Sequence, residues 1–110
     1  MKLVIVFLNK IEFLDDLLSG FLEIGVTGAT VLDTVGMGRI ISKNIPIFAG
    51  LRDAFAGSSP ANKTILAVVD ESLVDPIAAV VEDLLDSFHE ERGAFVVSLP
   101  IDKIFGLKKQ

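Results

Sequence analysis

Hydrophobic residues along this chain switch between runs typical of buried strands and spacings typical of amphipathic helices. The first run, Leu3 to Leu8, is continuous and rich in valine and isoleucine, which favours a strand buried on both faces. Three further β-type runs cover Ala29 to Val35, Lys63 to Val69 and Ala94 to Leu99. The pattern therefore predicts four strands.

Two segments between these strands repeat their apolar residues at the helical period, which predicts two helices. Gly20 lies inside the first helix, where it costs about 1 kcal/mol relative to alanine, and we interpret it as a close packing contact. Gly93 ends the second helix. The apolar positions of the first helix, which begins at Ile11, are Phe13, Leu14, Leu17, Leu18, Phe21 and Leu22, and those of the second are Ile77, Val80, Val81, Leu84, Leu85 and Phe88.

Two capping patterns are open for the start of the second helix. Asp70 closes the third strand and supplies a helix cap, whereas Asp75 followed by Pro76 also matches a cap with proline at the first helical position. Leu73 and Val74 therefore belong either to a preceding turn or to the helix itself.

The order of elements is strand, helix, strand, strand, helix, strand. Right-handed crossovers then place both helices on one face of a four-stranded antiparallel sheet. We predict an α+β fold of the ferredoxin-like βαββαβ type, with residues 1–110 forming a single domain. The long connection, residues 42–62, contains Pro46, which excludes a central strand, and is expected to be a variable loop or a folded flap.

Both faces of the first and third strands are apolar, although helices cover one face of such a sheet. Residues such as Ile5 and Leu66 would otherwise form a patch larger than the few hundred Å² usual on monomers. We therefore expect the second face to be buried between copies of the chain.

The amino-acid composition argues against several classes of function. The net charge of −5 argues against nucleic-acid binding. The chain has no cysteine and one histidine, His89, so thiol chemistry and soft-metal sites, including those of metal-tolerance proteins, are not expected. No nucleophile–base pattern is present, and we predict a non-enzyme. The apolar run at the start is too short to span a bilayer and lacks a cleavage site, so the cytoplasm is the expected compartment.

A Gly-x-Gly-Arg sequence, Gly36 to Arg39, follows the second strand. One interpretation is a simple loop at the end of a strand, which Ile40 and Ile41 extend. The other is a ligand cradle, in which backbone N–H groups and an arginine meet an anion. The dinucleotide-binding fingerprint does not fit, because it requires a third glycine and a following helix.

The stretch from Gly25 to Arg39, GVTGATVLDTVGMGR, resembles the pattern G-V-x-G-M-T-V-x-E-V-x-G-x-G-R of the PII nitrogen-regulatory signalling proteins. The resemblance continues at lower similarity through MKLVIVFL at the start and GAFVVSLPIDKI near the end. Matching positions are Gly25, Val26, Gly28, Thr30, Val31, Asp33 (for Glu), Gly36, Gly38 and Arg39.

The resemblance implies a ferredoxin-like homotrimer that binds a small anionic effector, such as an ATP, ADP or AMP-type nucleotide, in clefts between subunits. It also implies signalling to a protein partner, an enzyme or a membrane transporter, through the 42–62 loop. Its ligand-binding positions would be Gly28, Ala29 and Thr30 at the base, with Gly36, Gly38, Arg39, Gly93 and Lys108 near the phosphates. The apolar part of the loop offers Ile47, Phe48, Leu51, Arg52 and Phe55 to the partner.

Three parts of the sequence depart from the PII pattern. Ile40 replaces a glutamine, Glu91 to Ala94 replace a Gly-Asp-Gly-Lys loop, and Gly106 to Lys108 replace an Arg-x-Arg motif. The alternative is therefore an oligomeric ferredoxin-like binding module that has no nucleotide site.

Overall fold

The computed structural model describes residues 1–44, 62–87 and 92–107, and describes the backbone alone at residues 39 and 42–44. Within these ranges lie four strands, β1 (Lys2–Leu8), β2 (Thr30–Thr34), β3 (Asn62–Val69) and β4 (Ala94–Pro100), and three α-helices, α1 (Leu14–Glu23), α2 (Met37–Asn44) and α3 (Val74–Ser87). The predicted positions 47–55, Phe88, His89 and Lys108 lie outside the described residues.

The strands form one antiparallel sheet in the order β2-β3-β1-β4, which confirms the predicted ferredoxin-like α+β fold. The inner strand β1 pairs with β3 and β4 along its whole length, and its run of β-branched residues suits this position between two strands. The predicted strand from Ala29 to Val35 is shorter than expected, since its outer residues lie outside the ladder with β3.

Helices α1 and α3 pack on one face of the sheet, and the hydrophobic core lies between the sheet and these two helices. The side chains of Val4, Val6 and Leu8 are 1% exposed, and Leu17 and Ile77 close over them from the helices. The sequence placed Leu22 on the inward apolar stripe of α1, but its side chain is 64% exposed, so the prediction is wrong at this position. The remaining core members are Phe13, Phe21, Val26, Ile65, Ala67, Val69 and Val81.

Short 3₁₀ turns precede both long helices. Ile11–Phe13 forms the first, so the helix predicted from Ile11 begins as an α-helix at Leu14. Before α3, the carboxylate of Asp70 accepts from the Ser72 backbone N–H at 3.0 Å and caps the turn Glu71–Leu73. The helix α3 starts at Val74, which resolves the two capping patterns in favour of Asp70.

The segment predicted as a Gly-x-Gly-Arg loop is helical instead. Helix α2 starts at Met37, and the Ile40 N–H donates to the Gly36 carbonyl at 3.3 Å. Met37, Ile40 and Ile41 recur at helical spacing, which suits this helix. Because Ile40 and Ile41 lie in α2, the prediction that they extend the strand is wrong. The expectation that no helix follows the glycines is also wrong. Within the described residues, no helix is long and apolar enough to cross a membrane.

Candidate functional site

The second face of the sheet, which we call the open face, carries alternate residues of all four strands. Its apolar members include Val97, Leu99, Val68 and Phe95, which are 38%, 40%, 44% and 54% exposed. Strand register adds Leu3, Ile5, Phe7, Leu32 and Leu66 to this face. The expectation that both faces of the first and third strands carry apolar residues is therefore confirmed.

The residues predicted to hold the base of a nucleotide line a cavity at one end of β2. Gly28, Ala29 and Thr30 contribute to this cavity of about 760 Å³, together with the C-terminal end of β3 and the residue Leu107. Asp70 also lines it, and its hydrogen bonds from the Ser72 hydroxyl and backbone N–H hold the pKa of that carboxyl below its usual value. A carboxylate at this end disfavours a phosphate there.

Three of the residues predicted to lie near phosphates, Gly36, Gly38 and Arg39, are at the opposite end of β2. Gly36 precedes helix α2, whose first N–H groups have no partner within the helix, and Gly38 lies in its first turn. The backbone of Arg39 belongs to the same turn, and its side chain lies outside the description. Neither Gly36 nor Gly38 has a positive φ, and the helix that begins at Met37 replaces the predicted loop.

Gly93 directly precedes β4, on the far edge of the sheet from β2. Its carbonyl accepts from the backbone N–H of Asn9 at 2.7 Å and from that of Lys10 at 3.3 Å. Three strand spacings separate β2 from β4, about 14 Å. One protomer therefore holds the predicted ligand residues in three separate places.

Next to Gly36 the open face forms a cavity of about 400 Å³ that the sequence did not indicate as a site. The Thr34 hydroxyl donates to the Asn62 side-chain carbonyl at 2.8 Å and lies 2.9 Å from the Thr64 hydroxyl. Phe7 and Phe95 line the same cavity. A signal is present in the sequence, because three consecutive polar residues, Asn62 to Thr64, open an otherwise apolar strand.

Two further observations concern charge and metals. Lys63 and Asp33 face each other in the β2–β3 register and form an ion pair. Among the residues that the structure describes, no group of three histidine, cysteine, aspartate or glutamate side chains is placed to hold a metal ion.

Comparison with protein-family models and with curated proteins gives no match to this chain.

Proposed function

We propose that the protein is a PII-like regulator, an oligomer that binds a small anionic effector between neighbouring copies. By the resemblance of Gly25–Arg39 to PII proteins, the oligomer is a trimer and the effector an adenine nucleotide. The bound state would reach a protein partner, an enzyme or a membrane transporter, through residues 42–62. The protein would act in the cytoplasm and without catalysis.

The separation of the ligand residues along β2 is the observation that carries this proposal. Gly36 follows Thr30 by six residues, which at the rise of a strand is about 20 Å. An effector that contacts both ends must therefore lie where one end of a protomer meets the opposite end of its neighbour. The exposed apolar residues of the open face support association between copies, because such a face is costly in water.

The anionic character of the effector rests on the start of helix α2. The first N–H groups of a helix attract anions, and Gly36, which precedes α2, has no side chain of its own to cap them. Asp70 at the other cavity agrees with a neutral base there and phosphates at α2. The mechanism requires that the effector binds two states of the 42–62 segment with different affinities.

A thermal-shift titration with ATP, ADP, AMP and cyclic AMP tests the proposal. At 100 times the dissociation constant, a nucleotide stabilises the protein by about 2.7 kcal/mol. We expect Arg39→Ala to abolish this shift, and Lys2→Ala, a cation at the start of β1, to preserve it. A wild-type protein that shows no shift with any nucleotide would overturn the nucleotide proposal.

The alternative, a binding module without a nucleotide site, is favoured by the same carboxylate. Within the described lining of the 760 Å³ cavity, Asp70 is the one charged side chain, so an uncharged or basic ligand also fits. If nucleotides give no shift while light scattering shows an oligomer, this alternative replaces the regulator.

A further inference from the structure

A row of side chains crosses the open face at one register level. Phe95 pairs with Phe7, Phe7 with Thr64, and Thr64 with Leu32. The two phenyl rings stack with their centroids 4.6 Å apart and their planes at 21°. Thr64 is short and 9% exposed, so the ring stack stops there and the 400 Å³ cavity opens beside it.

The floor of this cavity is a chain of hydrogen bonds. Because Thr34 gives its single proton to the Asn62 carbonyl, Thr64 must donate to Thr34. The lone pairs of the Thr64 hydroxyl and the N–H groups of the Asn62 amide then remain to meet a ligand. The floor therefore offers an acceptor and a donor side by side, next to an aromatic wall.

The described lining of this cavity carries little charge, and it includes Gly36, which precedes α2. Within its described lining, Lys63 is the one charged side chain, and it pairs with Asp33. No carboxylate is among those lining residues. A volume of this size with apolar walls and a few convergent polar groups is typical of a small-molecule site.

We propose that this cavity binds an uncharged nitrogen heteroaromatic ring that carries an amino group beside a ring nitrogen. The ring continues the Phe95–Phe7 stack over Thr64, in the offset geometry that aromatic rings favour. Its ring nitrogen accepts from the Asn62 amide, and its amino group donates to the Thr64 hydroxyl. This goes beyond the proposed function, since it requires no phosphate and none of the residues from Gly28 to Thr30, and it shares with that proposal only Gly36, which also lines this cavity.

Titration with the free base 2-aminopurine tests the inference. The chain has no tryptophan or tyrosine, so the emission of the probe is read without background, and stacking quenches it. We expect saturable quenching by the wild type and its loss in Thr64→Leu, which fills the gap.

Asn62→Ala, at a half-buried position, should weaken binding about fivefold through one lost hydrogen bond. Ser98→Leu, an exposed polar position on the other sheet face, is the matched control and should bind as the wild type.

Two results would overturn the inference. One is a wild type that leaves the emission unchanged at every protein concentration, as expected if a side chain of a second copy fills the cavity. The other is equal quenching by the wild type, Thr64→Leu and Asn62→Ala. A nucleotide shift that requires Arg39 but ignores Thr64→Leu, without 2-aminopurine binding, would leave the proposed function in place and remove this inference alone.

Discussion

Gly25 follows helix α1 and has a φ of 95°, in the left-handed region. Its N–H donates to the Leu22 carbonyl at 3.1 Å, and the next N–H, of Val26, donates to the Phe21 carbonyl at 2.8 Å. These two bonds form a Schellman motif, which ends the helix and directs Val26 into the core. The prediction of a left-handed glycine at this position is confirmed.

Gly25→Ala should therefore lower the free energy of unfolding by about 1 kcal/mol, measured by urea denaturation. A methyl group at Gly25 meets nothing within 4 Å, so the whole cost comes from the backbone. Gly28→Ala is the matched control, because its added methyl also meets nothing and its φ lies outside the left-handed region. Equal stabilities of the two variants would contradict this account.

The side chain of Asp70 makes the stability of the fold depend on pH. Hydrogen bonds from the Ser72 hydroxyl, at 2.7 Å, and from its backbone N–H lower the pKa of this carboxyl in the folded protein. The cap therefore stabilises the fold above the unfolded pKa, which is about 4, and that stability is lost as pH falls through the folded value. Asp70→Ala should lower the urea midpoint at neutral pH, and its difference from the wild type should shrink in acid. A difference that stays constant down to about pH 2 would contradict this origin.

Helices α1 and α3 pack closely against each other at Gly20. A Cβ atom built on Gly20 would lie 2.6 Å from a methyl group of Val80. The sequence prediction that Gly20 marks a close packing contact is thus confirmed.

Gly20→Ala gains about 1 kcal/mol of helix propensity but forces two packed helices apart, which costs about 1–3 kcal/mol. We expect net destabilisation in calorimetric melting. Adding Val80→Ala removes the clashing methyl group. The double variant should therefore lose less free energy of unfolding than the two single variants lose together. Additive effects would show that the helices do not meet at this point.

Element type was predictable where a hydrophobic period ran for many residues, as in β1 and α3. It failed at α2, because Met37, Ile40 and Ile41 are too few to distinguish a short helix from an extended strand. The glycines beside Met37 favoured a loop, although neither uses the backbone freedom of glycine.

At the scale of the whole molecule, strand order followed from chain order and crossover handedness, whereas the sites did not. Thr34 meets Asn62 and Thr64 only through the β2–β3 register, and Phe7 meets Phe95 only through the β1–β4 register. Register depends on which residues of two distant segments pair, and the alternation within each strand leaves that open. The two cavities at opposite ends of β2 could therefore not be read from the sequence.

The open face gives the last prediction, which concerns assembly. Val97 and Val31 are both 38% exposed, but Val97 lies on the open face and Val31 on the helix face. If the open face is buried between copies, Val97→Glu places an unpaired carboxylate in an apolar interface, at a cost of several kcal/mol. Light scattering should then give the protomer mass of 11.8 kDa for Val97→Glu and three times that mass for the wild type and Val31→Glu. A wild type at the protomer mass, or an unchanged mass in Val97→Glu, would show that association does not use this face.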